Sequence, residues 1–95
     1  MQLSWTALAL ADREAIYDYI EADNPHAALA LDELFTEKVS RLADHPSIGR
    51  VGRVPGTREL VAHQNYIIVY DVMADSIRIL RILHAARQWP AERMN

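Results

Sequence analysis

The sequence predicts an α+β domain: an N-terminal edge strand, then an antiparallel helix hairpin packed on an antiparallel β-meander. Up to residue 44, apolar side chains recur at three- and four-residue steps. Beyond Pro46 they gather in short runs rich in β-branched and aromatic residues. All three glycines fall between positions 49 and 56, where the chain must leave the helix layer and enter the sheet. Ninety-five residues, 51% apolar and 24% charged, suit one folded domain over 1–95.

The elements come in order. Leu3 to Trp5 is a short apolar start that reads as the edge strand, with Thr6 placed to cap the first helix. From Ala7, an apolar stripe of Leu8, Ala11, Ala15, Ile16, Tyr19 and Ile20 faces away from Asp12, Arg13, Glu14, Asp18 and Glu21, predicting an amphipathic helix that stops near Asp23. Asn24-Pro25 supplies a capping side chain and a proline at the first position of a second helix. That helix carries Ala28, Leu31, Leu34, Phe35, Val39 and Leu42 on one stripe and ends before Asp44-His45-Pro46.

Three strands are predicted after the loop: Arg58 to His63, Tyr66 to Met73 and Ile77 to His84. Gln64-Asn65 and Ala74-Asp75-Ser76 are short and polar enough for the hairpin turns between them. Tyr66 to Met73 is apolar on both parities, so it belongs in the middle of the sheet. Arg78 and Arg81 stand on opposite parities of the last strand, so one of them must snorkel past the apolar neighbours of a covered face.

Composition excludes several classes of function. Without cysteine there is no disulfide framework and no thiolate metal site, and the reducing cytoplasm is the expected compartment. The N-terminus lacks a basic and apolar leader pattern, and no apolar run is long enough to span a bilayer. The net charge of -3 is unevenly spread: residues 1–44 hold three basic and nine acidic side chains, whereas residues 45–95 hold seven basic and four acidic. The second half therefore suits an anionic or acidic partner. Within the loop, Gly49, Gly52 and Gly56 permit positive φ at tight bends, and Pro55-Gly56 is a turn dipeptide. Arg50, Arg53 and Arg58 have no such explanation, because a turn needs no guanidinium groups and neighbouring cations repel.

Four segments, "DNPHAA" opening the second helix, "GRVGRVPGTRELV" in the loop, "YIIVYDV" in the central strand and "ILRILHAARQWP" at the end, resemble in order and spacing the RelE/ParE superfamily of bacterial type II toxins, closest to its ParE-like branch. The resemblance covers essentially the whole chain. It implies a small toxin of a plasmid-stabilising or addiction module, neutralised by a cognate antitoxin with a disordered acidic segment. The superfamily divides between ribosome-dependent cleavage of mRNA and poisoning of DNA gyrase, and fold likeness does not choose between them.

RNA cleavage without a metal needs a group that activates the 2′-hydroxyl, one that stabilises the phosphate charge and one that protonates the leaving oxygen. The candidates for those roles are Arg58, His63, His84 and Arg87. This chain departs from the RelE-type pattern: Ala62 stands four positions before Tyr66, where a catalytic arginine would align, and the C-terminal tyrosine is missing. His84 at a strand end and His63 at a turn also suit simple hydrogen-bonding roles, and His26 and His45 near helix ends suit caps. No histidine spacing fits a zinc helix, no nucleophile elbow or P-loop is present, and no metal or cofactor is expected.

Gyrase poisoning needs less chemistry and more surface. Arg50, Arg53, Arg58, Arg81, Arg87 and Arg93 with Trp89 supply residues typical of binding hot spots for an antitoxin or target, although Trp89 also suits a tail folded back on the sheet. With helices on one face, the apolar residues of the other face have only that tail to cover them, which predicts a partner, either the antitoxin or a second copy. The expected function is a gyrase-poisoning toxin that is not itself an enzyme. The alternatives are a ribosome-dependent mRNA endonuclease and a non-toxic, antitoxin-binding corepressor.

Overall fold

Thr6 converts a short strand, β1 (Gln2–Trp5), into the helix α1 (Ala7–Glu21). Its hydroxyl accepts from the Ala9 N–H at 3.1 Å and donates to the Leu80 carbonyl at 3.1 Å, so one side chain caps the helix and ties it to the sheet. The second helix, α2 (Pro25–Leu42), starts in the expected way: Asn24 is its cap, with Oδ1 accepting from the Ala27 N–H at 3.1 Å, and Pro25 occupies the first turn. This computed structural model describes residues 1–86.

The remaining elements are β2 (Arg50–Val51), β3 (Arg58–His63), β4 (Tyr66–Met73) and β5 (Ser76–His84). They form a five-stranded sheet in the order β1-β5-β4-β3-β2, so β4 is central and β1 lies at an edge, as expected. Strands β3, β4 and β5 make the antiparallel meander, but β1 runs parallel to β5, so the sheet is mixed. The two-residue strand β2 was not legible in the sequence; it exists because the loop lies against β3, pairing Arg50 with Glu59 and Val51 with Arg58. The β4–β5 turn places Ala74 at φ 55°, left-handed backbone that a residue with a Cβ adopts only at a cost.

The helices cover one face. Ala9, Leu31, Phe35, Val39 and Leu42 pack against Ala62, Ile68, Tyr70, Ile77, Ile79 and Ile82, with Leu3, Trp5, Ile16, Ile20, Leu34, Leu60 and Tyr66 around them. On α2 the buried stripe is the one expected. On α1 it is rotated: Ala9 is buried and Ile16 and Ile20 partly so, while Leu8 and Tyr19 are 61% and 80% exposed. The rotation has a polar cause. Asp12 turns inward, and its Oδ2 accepts from the Ile82 N–H at 3.0 Å and from Arg81 Nε at 2.7 Å, while Oδ1 accepts from Arg81 Nη2 at 3.0 Å. Strand β1 stops pairing with β5 at Ile79, and beyond that point Thr6 and Asp12 take over the hydrogen bonding of the β5 edge.

A bulge in the pairing of β5 with β4 bears on the parity of the two β5 arginines. Tyr70 pairs with Ile79 and Val69 with Arg81, leaving Leu80 as the inserted residue. Side-chain alternation therefore shifts by one, so Ile77, Ile79 and Ile82 all face the helices. Arg78 lies opposite Asp71 and bonds it on the outer face, while Arg81, level with Val69 by register, turns its guanidinium to Asp12 of α1 where the helix meets β5. No helix among the described residues is long and apolar enough to cross a membrane.

Replacing Asp12 by Ala removes the acceptor of one backbone and two guanidinium bonds, and we expect a loss of about 2–3 kcal/mol in urea unfolding. Asp12→Asn retains an acceptor for the Ile82 N–H and is expected to recover part of that loss. Equal stability of the two variants would show that the backbone bond contributes nothing.

Candidate functional site

The loop from Ala43 to Thr57 is held down by one buried hydroxyl. Tyr70, on the helix side of β4, is fully buried; its phenol donates to the Pro46 carbonyl at 2.8 Å and accepts from the Gly49 N–H at 2.9 Å. Burial raises the Tyr70 pKa above its ordinary value near 10, against the opposing pull of the Gly49 N–H and the Arg58 charge. Gly49 is needed for closeness: a Cβ there would lie 2.7 Å from the Tyr70 oxygen and 3.0 Å from the Glu59 carbonyl oxygen. Gly52 is crowded in the same way by Thr57, and only Gly56, at φ 86°, is a glycine with positive φ. The expectation of positive φ at all three positions is therefore corrected.

The loop arginines also have a structural partner. Glu59 is 2% exposed on β3; Oε1 accepts from Arg50 Nη2 at 3.1 Å, and Oε2 accepts from the Arg53 backbone N–H at 3.2 Å and faces Arg53 Nε at 3.5 Å. Arg58 Nη1 donates to the Gly49 carbonyl at 2.7 Å. Repulsion between Arg50 and Arg53 is offset by a carboxylate held between them. Both guanidinium groups remain about half exposed, at 56% and 46%, and keep N–H groups available to a partner.

By strand register, Arg50, Glu59, Val69 and Arg81 form one row across the outer face. Its apolar centre is not bare: Ile67, Val69 and Leu83 are buried and Leu80 is partly buried, whereas Val61 and Met73 at the margins are half exposed. Around it, Arg50 and Arg53 pair with Glu59, Arg78 with Asp71 at 2.6 Å, and Arg81 with Asp12. Among the described residues the rim is thus made of ion pairs and not of unpaired cations. Arg87, Arg93 and Trp89 lie outside the described residues.

At the opposite end of β3 the two candidate histidines meet. Tyr66 stands between His63 and His84, with ring centroids 6.2 and 5.4 Å away, and it packs edge-on against Phe35 at 5.9 Å. The three rings border a cleft of about 670 Å³ whose apolar wall includes Ile16, Ile20, Leu31 and Ile82. In each histidine Nδ1 accepts a backbone N–H at 3.2 Å, from Asn65 for His63 and from Ala86 for His84. A neutral imidazole so engaged carries its proton on Nε2, where it can donate but cannot accept one. Arg58 stands five residues from His63 along β3, roughly 17 Å away at strand spacing. The structure therefore brings His63 and His84 together with Tyr66 and leaves Arg58 with the loop.

Glu59, Tyr70 and Asp12 were not among the candidates read from the sequence. Each left a faint signal: a lone acid in an apolar strand, a phenol in a central strand whose hydroxyl must find a partner, and an acid four residues before Ile16, one turn along the helix.

Known proteins share this architecture. Residues 3–89 match the model of the family described as the ParE toxin of the type II toxin-antitoxin system, parDE. The chain is 42% identical over 90 residues to the putative toxin Y4kP of Sinorhizobium fredii, covering 94% of this chain and 93% of that one. It is 41% identical over 86 residues to Toxin RelE2 of Caulobacter vibrioides, covering 90% and 97%. A solved structure of the chromosomal ParDE TA system from P. aeruginosa superposes with a TM-score of 0.79 at 34% identity, covering 88% of this chain and 95% of that one.

Tyr70→Phe removes both phenol bonds and is expected to lower stability by about 1–3 kcal/mol. Because the folded pKa is raised, the phenol's contribution is full below pH ~10 and is lost as pH rises through the folded value. The wild type should lose stability through that alkaline window, and Tyr70→Phe should lose less in urea titrations across it. The double variant Arg50→Ala/Arg53→Ala leaves Glu59 buried with one backbone donor, and we expect it to lose about 2–4 kcal/mol, more than the two single variants added together.

Proposed function

Because the chain belongs to the ParE toxin family of type II toxin-antitoxin systems, we propose that this toxin arrests growth by binding and poisoning DNA gyrase in the cytoplasm, with no catalysis of its own. The supporting observation is the dispersal of the nuclease candidates. Arg58 is committed to the Gly49 carbonyl at one end of β3; His63 and His84 at the other end have no free ring nitrogen to take a proton while neutral. Ala62, where a RelE-type arginine would align, is 4% exposed and packs in the core. Among the described residues, no group combines a base, an acid and a phosphate clamp.

A cognate antitoxin is implied by the family. The half-exposed guanidinium groups of Arg50 and Arg53 are the cations we assign to its acidic segment, since each keeps unused donors beyond Glu59. Arg78 and Arg81 are more completely satisfied by Asp71 and Asp12, whose hydrogen bonds raise their already high pKa values.

Expressed alone in a bacterium, the protein is expected to induce the DNA-damage response and filamentation while bulk translation continues, and purified protein is expected to stabilise cleavage complexes of DNA gyrase. The His63→Ala/His84→Ala double variant should weaken growth arrest by no more than about tenfold, through the loss of two rings bordering the cleft, and should not abolish it, because neither ring is asked to move a proton. Rapid loss of protein synthesis with cleaved messages, abolished in that variant, would overturn the reading in favour of an endonuclease. Tight antitoxin binding without growth arrest would overturn it in favour of a corepressor.

A further inference from the structure

Rotation of α1 leaves a second apolar face that packing does not use. Leu8, Ala11, Ala15, Tyr19 and Ala22 recur at helical spacing and are all exposed, Tyr19 to 80%. Ala15 and Tyr19 are also walls of the cleft beside Tyr66, so the stripe leads into a concave apolar site backed by Ile16, Ile20 and Leu31. Helical spacing puts Glu14, Asp18 and Glu21 along one flank of the stripe and Asp23 near its end on the other. Among the described residues none of these four carboxylates has an ion-pair partner.

We infer that this α1 stripe and cleft form the surface that docks on the toxin's target, receiving a basic segment of that enzyme with an apolar anchor side chain. The inference rests on the gyrase reading. Charge selects the occupant. An acidic antitoxin segment would be repelled by the carboxylate flank and suits the arginine-bearing sheet face instead. A second copy would set the same carboxylates against one another across a two-fold axis. An enzyme that handles DNA carries basic surfaces shaped for an anion, and an acidic, apolar-centred helix complements such a surface. The geometry is that of a helix face with a pocket at one end, in which a few apolar anchors carry affinity and the charged flank sets approach rate and orientation.

The test uses full-length toxin, purified bacterial DNA gyrase and the cognate antitoxin. Wild-type toxin must first stabilise gyrase cleavage complexes; if it does not, the gyrase reading itself fails. Given that activity, Tyr19→Ala and the charge-reversed Glu14→Lys/Asp18→Lys variant are each expected to need about tenfold more protein for half-maximal cleavage complexes, with antitoxin affinity changed by less than about threefold. Both sites are exposed, and unchanged thermal melting of Tyr19→Ala separates binding from folding. Wild-type potency is also expected to fall as salt rises from about 50 to about 300 mM. Unaltered potency in both variants would overturn the inference. Loss of antitoxin binding with gyrase poisoning intact would assign the face to the antitoxin, and loss of a toxin dimer alone would assign it to a second copy; either outcome overturns it as well.

Discussion

One carboxylate, that of Asp12, joins the helix layer to the sheet at the point where the sheet would otherwise present an open edge. Strand β1 ends its pairing at Ile79, and three residues further along β5 stands the Ile82 N–H. Asp12 accepts it while gripping Arg81, so a helix side chain replaces the missing strand. That contact has wide effects. It orients α1, it brings Ala9 and Ile16 toward β5, and it exposes the Leu8 to Tyr19 stripe that hydrophobicity alone would bury. A buried ionic bond is weak evidence for net stability, but it is well suited to choosing one rotation of a helix over another.

The far side of the molecule uses the same device. Tyr70 anchors the loop from below through Pro46 and Gly49, and Glu59 anchors it from the sheet through Arg50 and Arg53. The loop thus lacks regular structure beyond the two residues of β2 and yet has fixed polar attachments at both ends. Its arginines serve two purposes: Arg50 donates to Glu59 from its guanidinium and Arg53 from its backbone N–H with its charge alongside, and both keep guanidinium donors for solvent or a partner. Glycine at position 49 lets the chain come close enough for the Tyr70 bond to form.

These attachments divide the surface into two territories of opposite sign. The sheet side carries arginines set around a buried apolar centre, and the exposed side of α1 carries carboxylates without ion-pair partners among the described residues, set around an apolar stripe. In the function we propose, a toxin held by an antitoxin and delivered to a target uses two faces, and opposite charge keeps their partners from competing for the same contacts. The histidine and tyrosine cluster lies where the cleft opens beside α1, and each histidine accepts a backbone N–H at Nδ1.

Much of the fold was legible because local signals agreed with the tertiary outcome. Asn24-Pro25 capped α2, the Ala28 to Leu42 stripe packed as read, and the unbroken apolar run of β4 placed it at the centre of the sheet. The candidate site was legible only as a set of residue types. Arg50, Arg53, His63 and His84 stood out by composition, but their partners Glu59, Tyr66 and the backbone of Asn65 and Ala86 depend on strand register and on how turns close. By itself the sequence determined the helices, every strand but β2 and the uneven charge, since these arise from periodicity, capping and composition within a few residues of one another. Only the tertiary structure decided which way α1 faces, on which side Arg78 and Arg81 emerge, and whether the loop arginines are paired, because each depends on a long-range hydrogen bond or a one-residue bulge that leaves no periodic trace in the chain.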